Sequence, residues 1–129
     1  MILTLDMKSD IPIYVQLRNQ IVMGIGTGKL KAGEQLPTVR QMAQDIGINT
    51  MTVNKTYQIL KNEGFIEIDR RKGATVCEVR QEAALYCEKL EEELQLLSAE
   101  ACLKGVQKDD FLKLCEEVFS RMNPTVMEV

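Results

Sequence analysis

Histidine and tryptophan are absent from this 129-residue chain, and aromatic residues of any kind make up 5% of it. Without histidine, acid–base chemistry would fall to Asp, Glu, Lys, Cys or Tyr, and no Ser or Cys stands in a nucleophile setting. Neither GxGxxG nor GxxxxGK[ST] occurs, so the usual glycine-rich phosphate cradles are missing as well. The pattern speaks against an enzyme and gives no reason to expect a cofactor.

Long apolar runs are also lacking, with none near the roughly 20 residues of a membrane span. Asp6, Lys8 and Asp10 interrupt the N-terminus too early for a signal peptide. A cytoplasmic protein is the expectation. Cysteine is present four times, at Cys77, Cys87, Cys102 and Cys115, but no CxxC pair occurs. With no histidine to join them, no metal site is expected. Cys87, Cys102 and Cys115 sit in helix-period apolar patterns and are expected to be buried structural thiols.

What is there suits one ordinary domain, or a small domain with an oligomerising appendage: 45% hydrophobic residues and a net charge of -3. That charge conceals an asymmetry. Residues 1–80 carry 11 Lys/Arg against 8 Asp/Glu, whereas residues 81–129 carry 5 against 11. Two segments with different partners are implied.

Along the chain, Tyr14, Leu17, Ile21 and Ile25 form a helical stripe, with Pro12 in a first turn and Asp10 as its expected cap. LKAGEQLP, residues 30–37, is a connector. Thr38 and Gln41 match a capping box, Val39, Met42, Ala43 and Ile46 supply the buried face of a short helix, and Gly47 is a natural left-handed stop. After the two-residue step of Gly47 and Ile48, Asn49 or Thr50 caps another helix running to about Glu63. Two short helices about a glycine-containing turn make a helix-turn-helix. In FIEIDRRKGATVCEV, residues 65–79, the period changes to that of a hairpin with a cationic tip. The fold class expected is therefore α+β, mostly helical: a winged helix-turn-helix over residues 1–79.

From residue 80 to 123 the chain turns acidic and helical. Ala83, Cys87, Leu90, Leu94, Leu97 and Ala101 recur at heptad-like steps, and Phe111, Leu114, Cys115, Val118, Phe119 and Met122 mark a second helix. This apolar seam covers the same core or pairs with a second copy. Dimerisation is the favoured reading, through Leu90, Leu94, Leu97, Ala101, Phe111, Leu114 and Val118. Residues 124–129 read as a flexible tail.

The stretch GINTMTVNK, residues 47–55, begins a helix without the acidic side chains that suit a positive helix end. An unneutralised helix N-terminus binds anions, and Asn49, Thr50 and Thr52 are able to donate hydrogen bonds to a phosphate. Lys55 would reach a phosphate or a guanine edge, Asn54 is suited to adenine, and Met51 and Thr52 to a thymine methyl. The plainer reading makes Asn49 and Thr50 ordinary caps. Arg40, off the buried face of the preceding helix, is either a backbone contact or a solvated arginine. Arg70, Arg71, Lys72 and Gly73 at the hairpin tip suit a minor-groove or phosphate contact, or simply keep the tip soluble.

In PIYVQLRNQI, GKLKAGEQLPTVRQMAQDIGINTMTVNKTYQILKNEGFI and RRKGATV, the chain resembles the GntR family of bacterial transcription regulators, and specifically its short YtrA type. The resemblance implies that Arg40 contacts an operator and that Asn49, Thr50, Met51, Thr52, Asn54 and Lys55 read bases and phosphates. The wing contribution falls on Arg71, Lys72 and Gly73. It further implies a homodimer on a pseudo-palindromic double-stranded DNA operator, acting as a repressor. Any small-molecule effector would bind near the dimer interface. Arg71 and the Gly73-Ala74-Thr75-Val76 ending depart from the family's usual wing. A winged helix used only for protein interaction is the competing class, and retention on heparin that is lost on mutating the wing separates the two.

Overall fold

The computed structural model describes residues 3–127. Its elements are α1 (Ile13–Gly26), α2 (Val39–Ile46), α3 (Thr50–Asn62), β1 (Ile66–Asp69), β2 (Gly73–Val76), α4 (Ala83–Leu103) and α5 (Lys108–Ser120). The architecture is the mostly helical α+β class, with one two-stranded sheet among the described residues. The chain divides into two units: one takes in everything up to Val79 together with the residues after Met122, and the other is Arg80–Met122.

The first unit is built around one aliphatic core. Leu17 and Ile21 of α1, Met42 and Ala43 of α2, Val53, Tyr57 and Leu60 of α3, and Ile66, Ala74 and Val76 of the hairpin are all buried. Each large aliphatic side chain removed from water contributes about 1.5–3 kcal/mol. α3 is the central element, packing against α1, α2 and β1. A bidentate Arg18–Glu63 pair (Nε and Nη2 each 2.9 Å from a carboxylate oxygen) ties α1 to the end of α3. Its side chains are about a quarter exposed, so it contributes of order 1 kcal/mol or less.

Helix ends follow their local chemistry, with two departures from expectation. Thr38 Oγ1 accepts from Gln41 N at 3.1 Å. The capping box is only half formed, because the Gln41 amide donates to Asp45 Oδ1 instead. At α1 the cap position is Pro12, without a side-chain bond, and Asp10 does not cap. Gly47 takes the left-handed conformation, φ 69°, that ends α2.

The connector before α2 pairs with the hairpin. Gly33 N donates to Val76 O, Leu36 N to Ala74 O and Val76 N to Glu34 O, at 2.8 to 2.9 Å, while Leu30 and Leu36 enter the core. The strands β1 and β2 are antiparallel, with Ile66 opposite Val76 and Asp69 opposite Gly73.

The part of the tail that is described, residues 124–127, lies along this same unit where the sequence reads as frayed. Asn123 N donates to Gly26 O at 2.8 Å, Ala32 N to Thr125 Oγ1 at 2.7 Å, and Met127 N to Glu78 Oε1 at 2.6 Å. Gly28, at φ +85°, leaves room for this strap, since a Cβ there would sit inside the van der Waals envelope of Asn123 O. Gly28→Ala should therefore cost about 1–3 kcal/mol for the left-handed backbone and more for the displaced strap. Gly47→Ala meets open space and should cost the backbone contribution alone. Equal melting temperatures for the two variants would show that the strap contributes nothing.

In the second unit, α4 and α5 bury no residue. Leu90, Leu94, Leu97, Leu114 and Val118 are 39 to 55% exposed, whereas Ala101 and Phe111 are half-buried. The cysteine expectation is corrected here: Cys87, Cys102 and Cys115 are exposed and Cys77 is half-buried. Helical periodicity marks an apolar face, but two helices of a single chain supply no further layer to cover it. Among the described residues, no helix is long and apolar enough to cross a membrane, and no cluster of potential ligands could hold a metal ion.

Candidate nucleic-acid interface

The start of α3 is assembled by its own sequence. Asn49 is extended (φ -66°, ψ 138°), and its side-chain oxygen accepts from Met51 N at 2.7 Å, so Asn49 is the cap and Thr50 is the first helical residue. The first turn contains no acidic side chain. The partial positive charge of the helix end is thus not neutralised from within the helix. Asn49, Thr50, Asn54 and Lys55 are exposed and Thr52 is half-buried. Met51 is 77% exposed.

Burial behind this end holds α3 in place. Tyr57 is 2% exposed, and its hydroxyl donates to Pro37 O at 2.8 Å. Burial pushes its phenol up to about 12, so it remains a neutral donor at physiological pH and ties α3 to the segment leading into α2. Thr56, fully buried, shares its hydroxyl between Thr52 O at 3.1 Å and Tyr14 O at 3.3 Å. These bonds fasten α3 to α1 and to the segment before α2.

Arg40 is the second residue of α2 and is exposed, off the face that buries Met42 and Ala43. At the wing, Arg70, Arg71 and Lys72 are exposed and Gly73 is half-buried. Asp69 Oδ1 accepts from Arg71 N at 2.7 Å, which closes the tip. Gly73, paired with Asp69 where β2 begins, has φ +74°, a left-handed conformation that glycine adopts without steric cost.

Arg18 is neutralised by Glu63 and lies 5.5 Å from the Phe65 ring centroid. Arg40, Lys55, Arg70, Arg71 and Lys72 have no carboxylate partner among the described residues. All eleven residues expected at the interface belong to the first unit, and the seven expected at a dimer interface to the second. Sequence reasoning missed Tyr14 as a neighbour of this site: Lys55 Nζ lies 3.9 Å from its ring centroid. Its place on the apolar stripe of α1 marked it as core, and nothing local pairs residues so far apart.

Comparison with known proteins fits this architecture. The family described as bacterial regulatory proteins, gntR family, matches residues 13–76, from the first residue of α1 to the last of β2. The HTH-type transcriptional repressor YtrA of Bacillus subtilis (strain 168) is 31% identical over 116 residues, covering 88% of this chain and 89% of that protein. The HTH-type transcriptional regulator Rv1152 of Mycobacterium tuberculosis is 35% identical over 74 residues, 57% of this chain. The probable rhizopine catabolism regulatory protein MocR of Rhizobium meliloti is 37% identical over 81 residues, 63% of this chain. The matches take in 61% and 16% of those two proteins' lengths.

Among solved structures, a transcriptional antiterminator from Listeria monocytogenes EGD-e superposes with a TM-score of 0.84 at 26% identity, covering 100% of this chain and 98% of that one. YtrA from Sulfolobus acidocaldarius, a GntR-family transcription factor, gives 0.66 at 33%, over 77% and 99%. The DNA-binding domain of AraR, solved in complex with operator ORX1, gives 0.52 at 25%, over 58% and 93%.

This chain is a member of the family of bacterial regulatory proteins described as gntR. Within that family it is of the short YtrA type, since the likeness to YtrA extends well past the winged helix.

Proposed function

We propose that the chain acts as a sequence-specific DNA-binding repressor that works as a homodimer on a pseudo-palindromic operator, in the cytoplasm alongside the chromosome. The observation that carries this reading is the start of α3: capped by Asn49, free of acidic residues, and exposing Thr50, Met51, Asn54 and Lys55. Asn54 and Lys55 are assigned to base edges and phosphates in the major groove, Met51 and Thr52 to thymine methyls, and Asn49 and Thr50 to phosphate. Arg40 is assigned to the backbone, and Arg70, Arg71, Lys72 and Gly73 to the groove flanking it. The operator complex of the related AraR domain supports duplex DNA as the partner. The uncovered faces of α4 and α5 support a second copy, because exposed apolar surface of this extent marks an interaction site.

Arg40 supplies the test. A cation that neutralises one phosphate contributes about 0.9 to the slope of log affinity against log salt. Arg40→Ala should lower that slope by about one and weaken binding to all duplexes alike, measured by fluorescence anisotropy on sequences selected from a random pool. Unchanged slope and affinity would remove Arg40 from the interface.

A further inference from the structure

Tyr14 touches two consecutive residues of α3 by two different means. Its carbonyl oxygen accepts from the buried hydroxyl of Thr56, which fixes the first turn of α1 against α3. Its ring lies 3.9 Å from the ammonium of the neighbouring Lys55. Tyr14 is half-buried and Lys55 exposed, so the aromatic face is held from behind while the cation meets solvent.

We propose that Tyr14 is a positioning residue for DNA binding, its ring holding the Lys55 ammonium ready for a backbone phosphate of the duplex near the start of α3. The proposal rests on the DNA-binding reading above. A free surface lysine has many rotamers, and ordering them on contact with a phosphate opposes binding. A ring that already holds the ammonium removes part of that cost beforehand. The face of a π system attracts a cation without neutralising it. A carboxylate at position 14 would restrain Lys55 equally well but cancel the charge a phosphate needs. Both outcomes are visible on the same pair of helices: Arg18 of α1, ion-paired with Glu63, is a structural clamp, whereas Lys55 against Tyr14 keeps its full charge free.

Binding of the full chain to a fluorescein-labelled random-sequence duplex, titrated with salt, tests this, because a phosphate contact is independent of sequence. Lys55→Ala should lower the salt slope by about one. Tyr14→Leu should weaken binding roughly two- to fivefold, in keeping with an exposed cation–π contact, and Tyr14→Phe should bind as the parent does. The double variant Tyr14→Leu/Lys55→Ala should bind no more weakly than Lys55→Ala alone. Additive losses in the double variant, an equal loss in Tyr14→Phe, or an unaffected or tighter Tyr14→Leu would each overturn the proposal.

A second measurement needs no DNA. The Lys55 Hε protons should be shifted upfield by the ring in the parent and in Tyr14→Phe, but not in Tyr14→Leu. No ring-current shift in the parent would refute the stacking itself. A shift accompanied by no duplex binding in any variant would overturn the DNA-binding reading and this proposal with it. A normal loss with Lys55→Ala alongside an unaffected Tyr14→Leu would overturn this proposal alone.

Discussion

Thr50→Glu should leave the protein slightly more stable and nearly unable to bind duplex DNA. Thr50 is the first residue of α3, directly after the Asn49 cap. A carboxylate in that turn faces the positive end of the helix dipole and typically adds about 0.3–1 kcal/mol. The same carboxylate would confront the phosphate assigned to this end. Two like charges at about 4 Å repel by roughly 4 kcal/mol at an effective dielectric of 20, and salt reduces that for exposed groups. A loss of about 100-fold in affinity is expected, together with an unchanged or raised melting temperature. The opposed signs separate the two roles open to this residue. If Thr50 is only a solvated first-turn residue, stability changes and affinity does not; affinity within a fewfold of the parent would refute the phosphate assignment.

Leu94→Asp should prevent the proposed dimer from forming and reduce operator affinity by two orders of magnitude or more. Leu94 lies in the middle of α4, in a segment that buries no residue, and is 39% exposed in the single chain. Placing a carboxylate at the centre of an apolar contact removes a packed side chain and desolvates a charge, a combination that typically exceeds 2 kcal/mol. Loss of the partner then removes the effective concentration by which one bound half-site holds the other. The first unit, which has its own core, should keep its melting transition. Sedimentation equilibrium gives the oligomeric state and anisotropy the affinity. A Leu94→Asp protein that stays dimeric would remove Leu94 from the interface, and a monomeric one with full affinity would separate dimerisation from DNA binding.

These effects trace back to residues whose meaning is unevenly visible in the sequence. The helix-turn-helix was readable because its punctuation is local: Thr38 before α2, Gly47 after it and Asn49 before α3 each act within a few residues. The hairpin was readable from its change of period and from Gly73 after three cationic residues. Contacts between distant segments were not. The pairing of residues 33–36 with β2, the strap of residues 123–127 and the Tyr14–Lys55 stack all join residues from 38 to 97 positions apart. No period or cap announces them. The cysteines of α4 and α5 misled for a related reason, because an apolar helical face implies a cover without saying whether the same chain supplies it.

The central claim is that the uncompensated end of α3 docks on duplex DNA from two symmetry-related copies. Selection of bound sequences from a random duplex pool tests it most directly. Enrichment of an inverted repeat is expected, with half-site centres about one helical turn, roughly 10 base pairs, apart, and substitutions at Asn54 should alter the preferred bases within each half-site. Recovery of a pool with no enriched sequence, or of a lone half-site without its inverted mate, would contradict the account.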